Sequence, residues 1–299
     1  MTTATRWQDV AEKGSVLGIR IVVAVATTLG RRAVGALLHV VAAWYVAFHP
    51  GVRRASREYL ARLRGRATLG DVYRHVLCFA RVTADRVFLA RDALGRFAVE
   101  IEGEPYLRAL QRERRGAVLV MSHLGSFEVL RAAGDVRDVP VHFLGYFKNA
   151  RMVNAVLREL NPAVEARLLE IRPDDPTFIF DVARLLEDGE LVGTMGDRVG
   201  DDGKAALVPF LGAPAPFPTG PYLLAAALGC PVYLGFGLYH EPNRYALHCE
   251  PFAERVVLPR AGRAEAAAGY AARYAARLEH FCRLAPYNWF NFYDFWSAR

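Results

Sequence analysis

The stretch AVLVMSHLGSFE, Ala117 to Glu128, decides the reading of this chain. Its apolar start predicts a strand over 117–122, buried on both faces. The FEVLRAAG that follows predicts a helix over 127–135. Ser126 suits the cap of that helix, and Gly125 allows a sharp turn between the two elements. Neither a strand nor a helix start requires His123 or Glu128. Glu128 falls in the first helical turn, and the short loop can bring its carboxylate to one imidazole nitrogen of His123. A carboxylate there would fix the tautomer and leave the other nitrogen to take a proton. On these residues alone the pair reads either as a structural contact or as part of a catalytic site.

The chain has 299 residues, enough for one large α/β domain or two smaller ones. It is 53% hydrophobic, without repeats or low-complexity segments. The net charge of +7 is uneven. Residues 1–100 carry 16 Lys and Arg against 7 Asp and Glu, and the remainder 22 against 24. A basic segment beside apolar runs points to an anionic membrane surface or an acidic protein partner. Nucleic acid is not expected, for there is no zinc finger, aromatic RNA-binding signature or evident helix-turn-helix. The four Cys (Cys78, Cys230, Cys249, Cys282) form no C-x-x-C pair, which fits a reducing cytoplasmic setting.

Two apolar runs open the chain, residues 15–30 and 33–48. Each is shorter than the ~20 residues that span a bilayer. Arg20 interrupts the first, His39 the second, and Arg31-Arg32 separates them. A signal peptide fits poorly, because the apolar pattern continues past the only plausible cleavage site. The runs are read as helices, either buried in a core or lying on a membrane surface. Further helices are expected over 55–65 and 70–93. In the second, Asp71 is the expected cap, and Val72, Val76, Phe79, Val82, Thr83, Val87 and Phe88 form the apolar face.

From residue 100 short apolar runs alternate with helical ones. Strands are expected at 117–122, 139–146, 165–171, 190–195, 231–239 and 244–251. Helices are expected at 104–113, 127–135, 150–160, 175–188, 219–229 and 262–283. The fold class is therefore α/β, a mostly parallel central sheet flanked by helices. A helical, membrane-associating segment (1–100) precedes a body (101–299) in which no linker is seen. In such a sheet the site lies beyond the carboxyl ends of the strands, where MSHLGSFE falls.

The His-x4-Glu spacing of His123 and Glu128, with its MSHLGSFEVLRA surroundings, resembles the first motif of the lysophospholipid acyltransferase superfamily. It looks most like the lipid A late-acyltransferase branch. GDR (Gly196–Arg198) after LVGTM, and FPTGP (Phe217–Pro221) before an apolar helix, resemble later motifs in the same order. The resemblance runs over about residues 7–295. It implies an acyltransferase at the cytoplasmic face of a bacterial inner membrane, taking its chain from acyl carrier protein or acyl-CoA. His123 would be the general base and Glu128 its partner. Asp197 and Arg198 would bind or orient a polar acceptor, and Thr219 and Gly220 would offer backbone N–H groups to an anion. No metal or other cofactor is implied. With neither a G-x-S-x-G elbow nor an evident catalytic Cys, a bound acceptor is expected to attack the thioester directly.

The family's second motif has no clean match. YFKNAR offers Lys148 and Arg151 as acceptor contacts or as a solvated helix start. The acceptor therefore stays open between a lipid A precursor, an aryl-polyene-type lipid, an amino-acid lipid and a glycolipid. A non-catalytic lipid-binding scaffold is the other alternative. The aromatic PYNWFNFYDFW (Pro286–Trp296) fits either a bilayer interface or packing on the core, and neither reading makes it catalytic.

Overall fold

The computed structural model describes residues 16–91, 94–136, 139–146, 167–171, 175–200 and 203–297. Four helices come first: α1 (Val16–Thr28), α2 (Gly30–Phe48), α3 (Pro50–Arg64) and α4 (Leu69–Leu89). The rest alternates strands and helices: β1 (Ala98–Glu102), α5 (Glu104–Glu113), β2 (Ala117–Met121), α6 (Phe127–Val136), β3 (Val141–Gly145), β4 (Leu168–Glu170), α7 (Phe178–Glu187) and β5 (Leu191–Met195). A hairpin, β6 (Ala205–Phe210) and β7 (Ala213–Pro218), leads to α8 (Gly220–Leu228). β8 (Val232–His240), β9 (Arg244–Ala253) and α9 (Arg263–Leu284) complete the order. The helix expected at 150–160 lies outside the described residues.

Seven strands form one sheet in the order β1-β9-β8-β2-β5-β3-β4. β8, β2, β5, β3 and β4 run parallel, as expected of continuous apolar runs. β9 reverses because only three residues join it to β8, too few for a parallel crossover. β1 then runs parallel to β9 at the edge. Strand β1 and the β6–β7 hairpin were not expected from sequence. The hairpin's second strand is APAPFP, and proline ordinarily argues against a strand. It is tolerated in a separate two-stranded ribbon, where Pro209 faces Pro214 and Ala205 faces Pro218. Leu211 and Gly212 both take positive φ and close the turn.

Central strand β2 divides two cores because its side chains alternate between faces. Ala117, Leu119 and Met121 pack with α1, α2, α4 and α6. Val118 and Val120 pack with Tyr59 and Leu60 of α3, the hairpin, α8, α9 and the C-terminal segment.

The first helices bury one face each. α2 buries Val34, Leu38, Ala42 and Val46 at four-residue steps and exposes Val40, Trp44 and Phe48. Arg31 turns inward, making two bonds of 2.8 and 2.9 Å to Asp85 of α4, whose carboxylate also accepts from Tyr245 of β9. Among the described residues no single helix is long and apolar enough to cross a membrane. α2 and α3 together have the length and composition, but they are bent by 96°. The N-cap of α4 is Thr68 rather than Asp71. The Thr68 hydroxyl accepts from the Asp71 amide, and the Asp71 carboxylate accepts from the Thr68 amide. This helix ends at Leu89, and Phe79, expected on its buried face, is exposed and lies edge-on to Phe290 and Phe292.

One polar contact crosses the second core. His75 of α4 is fully buried; its Nδ1 lies 2.8 Å from the Ser56 hydroxyl and its Nε2 lies 2.8 Å from the Trp289 carbonyl. The carbonyl can only accept, so Nε2 carries the hydrogen and Ser56 donates to Nδ1. Burial lowers the His75 pKa to about 4, with the Trp289 bond opposing. The unfolded chain takes up this proton near its ordinary value, so stability is full above pH 6.5 and declines as pH falls toward 4. The loss at the lower end is about 3 kcal/mol. Denaturant unfolding of wild type and His75→Phe across this range should show a correspondingly weaker pH dependence in the variant. Parallel curves would count against a neutral buried His75.

Candidate active site

The turn from β2 to α6 is held on both sides by main chain. Gly125 has φ +65°, and a Cβ there would sit 1.8 Å from the Gly237 carbonyl oxygen of β8. The Ser126 amide donates to that carbonyl at 2.8 Å, and the Gly125 amide to the Asn288 carbonyl at 2.8 Å. The Phe290 amide donates to the His123 carbonyl at 2.8 Å. Any side chain at 125 would prise the turn off β8. As the sequence suggested, Ser126 caps α6: its hydroxyl accepts from the Val129 amide at 3.3 Å and donates to Glu128 at 3.1 Å.

His123 meets a carboxylate, and it is that of Asp197. β2 and β5 are adjacent and parallel with Met121 opposite Met195, so the residues two beyond each strand end lie side by side. His123 Nδ1 is 2.9 Å from Asp197 Oδ1, and the His123 amide donates to Oδ2 at 2.9 Å. The Trp289 indole N–H donates to the same Oδ2 at 2.9 Å. Asp197 is 1% exposed. Gly196 fits beneath because a Cβ there would press into Val120 and Tyr274, while its amide bonds the Met121 carbonyl at 2.8 Å.

The expected contact between Glu128 and an imidazole nitrogen of His123 is corrected by this geometry. Glu128 lies one residue into α6 and turns toward α4, where Arg86 Nε stands 2.5 Å from its carboxylate. Arg86 and Ser126 occupy that carboxylate, but it remains near enough to raise the proton affinity of His123.

The other expected residues divide. Arg198 donates to the Phe290 carbonyl at 3.0 Å and lies over the Tyr293 ring. Thr219 and Gly220 open α8; the Thr219 amide bonds the Lys204 carbonyl, its hydroxyl makes no cap, and no hydrogen bond among the described residues joins them to His123 or Asp197. Lys148 and Arg151 lie outside the described residues. Trp289 and Arg86 were not expected in the site. A buried Trp needs a partner for its N–H, which was a usable signal within PYNWFNFYDFW, a segment the structure packs on the core.

Burial is the largest influence on His123 and lowers its pKa. The charge of Arg198 lowers it further, while Asp197 and Glu128 oppose, and the net is below the ordinary imidazole value. Burial alone would raise Asp197, but the charge and hydrogen bond of His123, with Arg198 and the His123 amide, hold it below the usual carboxylate range. An ionised carboxylate only accepts, so Nδ1 carries the imidazole hydrogen and Nε2 keeps a lone pair. The His123 side chain is 24% exposed, and no described residue bonds Nε2. A neutral imidazole, oriented from behind and open at Nε2, is equipped to remove a proton from a bound hydroxyl or amine.

The site thus carries a His after the first parallel strand and an Asp-Arg pair after its neighbour, within a mixed sheet covered by helices. No curated protein matches this chain. A family model described as bacterial lipid A biosynthesis acyltransferase matches residues 11–297. Spanning nearly all of the sequence, that match shows that the chain belongs to the bacterial lipid A biosynthesis acyltransferase family.

Proposed function

We propose that this protein moves a fatty acyl chain from a thioester, carried by acyl carrier protein or coenzyme A, to a hydroxyl or amine of a lipid or glycolipid acceptor, with His123 as general base. The observation that carries this reading is the half-open His123 whose Nδ1 is anchored on a buried carboxylate. Nε2 takes the acceptor's proton as its oxygen or nitrogen attacks the thioester carbonyl. The C–S bond then breaks, and the leaving sulfur recovers the proton from Nε2. Asp197 stays ionised and stabilises the imidazolium between the two transfers. Glu128, fixed by Arg86, adds negative charge nearby instead of holding Nδ1. The Gly125, Ser126 and Val129 amides are engaged within the fold, so oxyanion donors are to be sought elsewhere.

Membrane association at the cytoplasmic face belongs to the same proposal. Leu17, Ile21, Leu29, Val40, Trp44 and Phe48 are exposed apolar side chains on or between α1 and α2. They support seating of these helices in the lipid interface, with exposed arginines such as Arg20 and Arg32 toward anionic headgroups.

Mass spectrometry of lipid extracts tests the activity, comparing cells lacking the protein, cells with it restored, and cells with His123→Ala at matched expression. One lipid should gain an acyl-chain mass with wild type alone, and that mass identifies both chain and acceptor. Restoration of the same lipid by His123→Ala would remove His123 as the base. Because His123 is active when neutral and its proton affinity is depressed, kcat/KM should fall only on acidification below pH 6.5. Asp197→Asn should cost roughly 100-fold or more in kcat and displace that acid limb further down. A limb at or above pH 6.5 in wild type would contradict the assignment.

A further inference from the structure

We propose that Trp289 is a positioning residue for the His123–Asp197 pair, acting through its indole N–H. The inference rests on His123 being the base. Asp197 Oδ2 accepts from both the His123 amide and the Trp289 indole, which leaves Oδ1 directed at Nδ1. The indole has one donor, in the ring plane, so the ring's placement fixes where the carboxylate can sit. That placement is determined from several directions. Tyr59, Phe210 and Phe295 stand edge-on to the ring, with centroids at 5.0, 5.2 and 4.9 Å. Its carbonyl is held by His75, and Leu124 and Trp289 form an antiparallel bridge. Trp289 is 1% exposed. Core packing alone requires no N–H at this position; the hydrogen bond to the carboxylate does.

Among the described residues, the charged and titratable groups around the pair are Arg198 after β5, Glu128 of α6 with its partner Arg86, Tyr274 and Cys282 of α9, and Tyr293 of the C-terminal segment. None of them is altered by a change confined to the indole nitrogen. Removing that donor leaves more negative charge on Asp197 for Nδ1–H, so His123 should hold its proton to higher pH. This direction is opposite to that of Asp197→Asn, which deletes the charge.

The test places benzothienylalanine at position 289, exchanging N–H for sulfur in a bicycle of nearly the same shape, with Trp289→Phe as companion. Carbon-13 labelled histidine reports the His123 titration by NMR, with no need of turnover. The titration should move up by about half a pH unit or more in both variants. Transfer to the acceptor found in the lipid extracts should lose about tenfold in kcat at unchanged KM. A His123 titration and kcat that coincide with wild type, accompanied only by a lower Tm, would reduce Trp289 to a packing role and overturn the inference. His123→Ala separates the role of the base from that of Trp289. Full activity there removes the base itself, whereas an inactive His123→Ala beside an unaltered benzothienylalanine variant removes only the role of Trp289.

Discussion

A buried carboxylate is the constraint on which the rest of this site depends. Asp197 is almost wholly withdrawn from water, a placement that costs several kcal/mol unless the charge is met. It is met by the His123 imidazole, the His123 amide and the Trp289 indole, with the charge of Arg198 close by. The carboxylate and its donors come from three different parts of the chain, so the fold must bring three segments to one point. The β2–β5 register supplies the first pair, and the C-terminal segment supplies the third. The main-chain bonds of Asn288 and Phe290 to the 123–125 turn are what bring the indole within reach.

The same constraint connects the outer helices to the site. Tyr59 of α3 lies against the Trp289 ring, and His75 of α4 holds the Trp289 carbonyl. Arg86 of α4 pins Glu128. α1 and α2 pack with α4 in one core and so belong to the same packed unit as the proposed base. Arg31 illustrates how their charges are accommodated: what reads in sequence as a break between two apolar runs is an inward ion pair with Asp85. Such a pair contributes less to stability than to fixing where α2 lies against α4 and the sheet.

Local features were legible in the sequence and distant pairings were not. The β2 strand, the Gly125 turn and the Ser126 cap follow from residues within ten positions of one another, where conformational preference and short-range bonding decide. The choice between Glu128 and Asp197 as partner of His123 could not be made that way. Glu128 is five residues away and Asp197 seventy-four, and only the adjacency of β2 and β5 settles which lies at Nδ1. Strand order is a property of the folded sheet, and no periodicity in either segment encodes it. The N–H of Trp289 called for a partner, but its aromatic neighbours suit an interface as well as a core, and nothing local names Asp197 as that partner. The β6–β7 ribbon was missed because prolines mask a strand wherever the partner does not need their N–H.

The proposed chemistry requires His123 to be a neutral imidazole with its hydrogen on Nδ1, directed at Asp197, and a lone pair on Nε2. Nitrogen-15 NMR of the histidine-labelled protein near neutral pH, with His123 assigned by comparison with His123→Ala, reads this directly. A protonated Nδ1 and an unprotonated Nε2 are expected at His123. A hydrogen on Nε2, or a doubly protonated ring at that pH, would contradict it.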